Sequence, residues 1–110
     1  MSDPTIDPSQ LFAQARELSE KVQRVQAELR RRTVEATVGG GMVTVRVNGG
    51  LELVAIEIDP QAVDARDVEM LQDLIVAAVN QAMRRAGELA QQEMQRVTGM
   101  PLGVLGGDTP

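Results

Sequence analysis

The 110-residue chain contains no cysteine and no histidine, and Phe12 is its one aromatic residue. Lack of cysteine excludes disulfides, thiolate catalysis and zinc–sulfur sites. Lack of histidine removes the usual general base and the usual transition-metal ligand. With so few aromatics, any core must be aliphatic with some methionine, and base-stacking platforms for single strands are missing. No apolar run approaches the roughly 20 residues of a membrane span. The N-terminus is polar and acidic, unlike the basic and then apolar plan of a signal peptide, so a cytoplasmic protein is expected.

What is present is charge, unevenly spread. The net charge is −5. Residues 16–32 carry Arg16, Lys21, Arg24, Arg30, Arg31 and Arg32 against Glu17, Glu20 and Glu28, a local +3. Residues 52–73 carry Glu52, Glu57, Asp59, Asp64, Asp67, Glu69 and Asp73 against Arg66, a local −6. The overall acidity argues against indiscriminate polyanion binding, while the asymmetry leaves room for a basic face.

The organising stretch is 39–60, GGGMVTVRVNGGLELVAIEIDP. Val43, Val45 and Val47 alternate with polar or half-polar neighbours, the period of a strand with one buried face. Asn48-Gly49-Gly50 suits a hairpin turn that needs positive φ. Leu51 to Ile58 predicts a further strand, closed by Asp59-Pro60 because proline cannot continue the ladder. Its apolar parity slips, which predicts either a bulge near 53–55 or a strand buried on both faces. Upstream, Val34, Ala36 and Val38 alternate within 33–38 and predict the first strand of a meander. Gly39-Gly40-Gly41 joins it to the hairpin. No lysine with Ser or Thr follows that triplet, so it is a turn and not a phosphate loop.

A helical pattern flanks the sheet on each side. Ser9 is a candidate N-cap. Leu11, Ala15, Leu18, Val22, Val25 and Leu29 then recur at spacings of a heptad stripe. A core-facing helix and a projecting, coiled-coil-like arm both fit this stripe. The second helix is predicted over about 65–97, with Asp64 as N-cap and Asp67 in the first turn. Its apolar stripe is wide from Leu71 to Val79 and thinner beyond Arg84, so the first half should cover the sheet and the second half emerge. Gly99 and Pro101 end it. The acidic residues at 59–69 lack the glycine and terminal glutamate of an EF-hand. No nucleophile–base pair, phosphate cradle or metal-ligand set can be assembled, so no enzyme, cofactor or small-molecule substrate is expected.

The expected organisation is a lead-in over 1–8, one α+β domain over 9–98 with the order α-β-β-β-α, and a tail over 99–110. A three-stranded meander with two helices buries a modest share of its surface, and a second copy is expected to complete the core.

The element order, GGGMVTVRVNGG, the strand ending IEIDP and the run EMLQDLIVAAVNQAMRRA together resemble the YbaB/EbfC family of bacterial nucleoid-associated proteins, over about residues 10–97. The resemblance implies a tweezers-like homodimer that binds duplex DNA with relaxed sequence dependence, in the nucleoid, with effects on DNA organisation and gene expression. It implies contacts on the projecting helical parts: Lys21, Arg24, Arg30, Arg31 and Arg32 on the first helix, and Arg84, Arg85 and Arg96 on the second. Non-specific duplex binding needs only spaced cations presented to phosphates. The alternative is a protein-interaction module whose helical arms grasp a partner without direct DNA binding, in which the arginines cap helices and confer solubility. The heptad stripe, Met70, Met83, Met94 and the glutamine-rich distal helix suit that reading equally well.

Overall fold

A computed structural model describes residues 7–64 and 66–99. The order is α1 (Pro8–Arg31), β1 (Thr33–Val38), β2 (Val43–Asn48), β3 (Leu53–Ile58), a 3-10 turn at Pro60–Ala62, and α2 (Val68–Thr98). This is the expected α-β-β-β-α succession. The strands form one antiparallel meander in the order β1-β2-β3.

Period-two patterning decides the faces. Val34, Ala36 and Val38 of β1 pair with Val47, Val45 and Val43 of β2, and all point to one side. α2 lies across that side. Its Ala78, Ala82 and Ala86 are fully buried against Ala36, Val43, Val45 and Val47, with Leu71, Leu74, Ile75, Val79 and Met83 around them. Alanines on the helix let its backbone approach the strands closely, which suits a core with no large side chain to spare. The opposite face of the sheet is polar. There Arg46 on the central strand bridges Glu35 and Glu57 of its two neighbours, each at 2.6 Å. The hydrogen bond to Glu35 and then the Glu57 charge hold its guanidinium above the ordinary arginine pKa.

The bulge expected in β3 is present: Arg46 pairs with Ala55 while Val47 pairs with Leu53, so Val54 is the extra residue. The strand itself starts at Leu53 rather than Leu51. Its burial overturns the two-faced alternative. α2 covers β1 and β2, and β3 is left at the open edge with Leu53, Ile56 and Ile58 at 46, 41 and 36% exposure.

Both N-caps differ from expectation. Asp7, not Ser9, caps α1, its carboxylate accepting the Ser9 N–H with Pro8 opening the helix. α2 starts at Val68, capped by Asp67, which accepts the Met70 N–H. Asp64 instead accepts the Arg66 N–H in a separate turn. That backbone bond, followed by the Arg66 guanidinium, depresses its carboxyl pKa. Gly99, in the left-handed region, closes α2 as expected; Pro101 and the rest of the tail lie outside the described residues.

The β2–β3 turn is also corrected. Leu51 N–H donates to the Asn48 carbonyl and Asn48 N–H to the Glu52 carbonyl, which gives a three-residue loop. The positive φ falls on Leu51, at +64°, not on either glycine of the turn. A type I turn followed by one left-handed residue is the usual build of such a loop.

Candidate nucleic-acid interface

α1 is an arm. Residues 8–21 are exposed throughout, Val22 and Val25 are half-buried, and Leu29 alone is buried. The helix therefore anchors by about its last three turns and projects the rest, and the principal extents reach 81 × 32 × 16 Å. Of the two readings open for the heptad stripe, the projecting arm is the one observed. Leu11, Phe12 and Leu18 remain uncovered, Phe12 at 73%.

All eight candidate cations are exposed, but they are not equally free. Lys21 pairs with Glu17 one turn away at 3.7 Å. The Arg24 Nε–H donates a long bond to the Glu20 carbonyl at 3.5 Å. Arg32 contacts Glu93 at 3.2 Å, and Arg96 contacts the same carboxylate at 3.2 Å. Arg85 donates to the Glu35 carbonyl and so ties α2 to β1. Arg30, Arg31 and Arg84 make no ion pair or side-chain hydrogen bond among the described residues. They present full charge to solvent.

The fold brings Arg30, Arg31, Arg32 and Arg96 to one place, the junction where the end of α1 meets the distal half of α2. Glu93 sits among them with a side chain only 18% exposed. Burial works to raise its pKa, but the Arg32 hydrogen bond and the Arg96 charge outweigh it and hold the carboxyl below the ordinary glutamate value. Lys21 and Arg24 lie farther out along the arm. Arg84 and Arg85 lie on the part of α2 that crosses the sheet, so these eight residues do not form one patch on a single subunit.

Two features escaped the sequence reading. Glu93 neutralises part of the junction; its spacing to Arg96 was visible as an i, i+3 pair, but its pairing with Arg32 is tertiary. Arg16 is exposed on the arm and makes no pair among the described residues; it belongs to the same basic run as Lys21 and Arg24.

The junction also holds a cavity of about 290 Å³ between α1, the β2–β3 turn and α2, with Gln26, Leu29, Arg30, Leu51, Ala90 and Met94 in its wall. No group of three or more carboxylates that could hold a metal ion occurs among the described residues.

Comparison with known proteins agrees with this architecture. A nucleoid-associated protein of Thermoanaerobacter sp. (strain X514) is 53% identical over 89 residues, which span 81% of this chain and 80% of that protein. One of Moorella thermoacetica is 58% identical over 79 residues, 72% of this chain and 76% of the relative. The crystal structure of an uncharacterized Helicobacter pylori protein superposes with a TM-score of 0.73 at 26% identity, covering 80% of this chain and 92% of that one. A family model matches residues 5–101. With its helix, meander and long helix in place, the chain belongs to the YbaB/EbfC DNA-binding family.

Proposed function

We propose that the protein is a nucleoid-associated, duplex-DNA-binding homodimer of the cytoplasm that reads sequence loosely, alters DNA organisation and thereby influences gene expression. The observation that carries this reading is the projecting arm with Arg30 and Arg31 at its root, exposed and without an ion pair among the described residues. Cations on an exposed helix can meet phosphates without giving up an existing partner, and phosphate contacts alone supply non-specific affinity. Phe12 is the only aromatic, and one ring cannot make a platform for successive bases, which favours duplex over single strand.

Support for pairing comes from β3. Its helix-side face continues the apolar surface of β1 and β2, yet nothing among the described residues covers it, and Leu53, Ile56 and Ile58 stay exposed. An open, apolar edge strand invites a second chain. A second copy would double each basic junction, and the acidic residues at 59–73 would lie apart from them.

A gel shift with a short duplex over a salt series tests the DNA reading. Affinity is expected to fall with log salt at a slope of about −0.9 per phosphate contact. Replacing Arg30 and Arg31 by alanine should flatten that slope by roughly 1 to 2 units. Arg32, held by Glu93, should contribute less. A shift that ignores salt, or none at low salt, would sink the reading.

Leu11, Phe12 and Leu18 on the arm favour a second reading, in which the arms grasp a protein partner without DNA. Charge substitution at Leu11 and Leu18 that leaves duplex binding intact would separate the two.

A further inference from the structure

The β2–β3 turn is built around the end of α1 more tightly than a hairpin requires. The Gly49 N–H donates to two carbonyls at once, Leu29 at 2.8 Å and Arg32 at 2.9 Å. These are carbonyls at the C-terminal end of α1, where helical carbonyls run short of donors; the Leu29 carbonyl also accepts the Arg32 N–H, at 3.2 Å. Gly49 itself is buried. A Cβ built there would meet the Leu29 carbonyl oxygen at 2.7 Å, its Cδ2 at 2.8 Å and its Cβ at 2.9 Å. The need for glycine is one of space, because Gly49 does not have a positive φ.

The turn is braced from behind by Asn48, a polar residue only 7% exposed. Its Oδ1 accepts the N–H groups of Gly50 at 2.9 Å and Glu52 at 3.0 Å, and its Nδ2 donates to Glu52 Oε1 at 3.1 Å. A loop that only reversed the chain would have no call on the adjacent helix terminus.

We propose that Gly49, braced by Asn48, sets the angle at which α1 leaves the body, and is a positioning residue for the arm's cations. Leverage makes the angle matter. A tilt of about 10° at the root moves Arg16, about 22 Å out along the helix, by about 4 Å. That exceeds the ~3.4 Å rise between successive phosphates of one strand. The functional half of the inference rests on the DNA-binding reading; the geometric half does not.

The chain has no native cysteine, so labels can be placed cleanly. Spin labels at Ala13→Cys on the arm and Gln72→Cys on α2 report the arm's setting, in samples diluted with unlabelled protein so that only distances within one chain are read. Gly49→Ala is expected to displace or broaden that distance distribution and to weaken duplex binding about tenfold, as loss of one or two phosphate contacts would. Asn48→Asp puts a second carboxylate oxygen against Glu52 and should move the distribution too; it decides the matter if Gly49→Ala does not fold. Gly87→Ala, whose added Cβ meets nothing within 4 Å, should change neither quantity.

Unchanged distances in the folded variants would overturn the proposal. So would a displaced arm with unaltered DNA affinity. Displaced distances in a protein that never binds DNA would leave the clamp standing and remove the DNA-binding reading instead.

Discussion

Gly39 and Gly40 both sit in the left-handed region, at φ +66° and +67°, yet they differ in surroundings. An alanine at either position meets the left-handed penalty of about 1–2 kcal/mol. At Gly39 the new methyl would also stand 3.1 Å from Leu74 Cδ2, whereas at Gly40 it meets nothing within 4 Å. Gly39→Ala should therefore destabilise by roughly 1 kcal/mol more than Gly40→Ala, as urea unfolding would show. Equal costs would mean that Leu74 yields freely. The triple glycine was legible as a turn because no lysine with Ser or Thr follows it; its three successive positive φ values, which glycine takes readily, are seen in the structure. The caps were less legible. Asp and Ser both serve as N-caps, so residue type alone does not separate Asp7 from Ser9 or Asp64 from Asp67; the choice turns on which backbone N–H groups the chain leaves free. Pro8 supplies none, so the helix can open beneath it. The 3-10 turn at Pro60–Ala62 delays α2 past Asp64. Leu51 was unforeseen because a leucine with positive φ contradicts its own preference; the register of the loop imposes it.

At the scale of elements, the strands were legible and the relation of the helices was not. Alternation in 33–38 and 43–48 states which face is buried without reference to anything else. A heptad stripe states only that one face of α1 is apolar. Whether a neighbour covers it depends on where α2 crosses the sheet, and α2 reaches only Leu29 and partly Val22 and Val25. The candidate site shared that limit: the basic run was visible, but the pairing of Arg32 with Glu93 required the junction. That pairing is pH-dependent in a defined sense. The folded Glu93 carboxyl lies below the ordinary value of 4.5. Its contribution is thus fully present above that value and is lost as pH falls through the lower, folded-state pKa. Glu93→Gln should remove this part of the acid sensitivity. Acid titration of thermal stability, wild type against variant, checks it: curves that stay parallel through the acid range would refute the assignment.

For the whole molecule, the decisive asymmetry is that α2 shields two strands of three. Ile56 pairs with Val45, which is fully buried, yet is itself 41% exposed. On the proposed pairing through β3, Ile56→Asp would place a charge in the contact between copies while hardly disturbing the core of one subunit. Light scattering should then give the mass of a single chain with unaltered helical content. A variant that keeps the mass of a pair would move the contact elsewhere. The fold was readable because each element's pattern agreed with its neighbours; the assembly was not, because an apolar strand has the same sequence whether a helix or another chain lies over it.

The uncovered strand has a consequence for supply. If coverage must come from an identical neighbour, pair formation grows with the square of the number of free chains in dilute solution. Occupancy of the chromosome would then climb more steeply than expression itself. A modest change in synthesis could tip the population between idle singles and working doubles, with no effector needed.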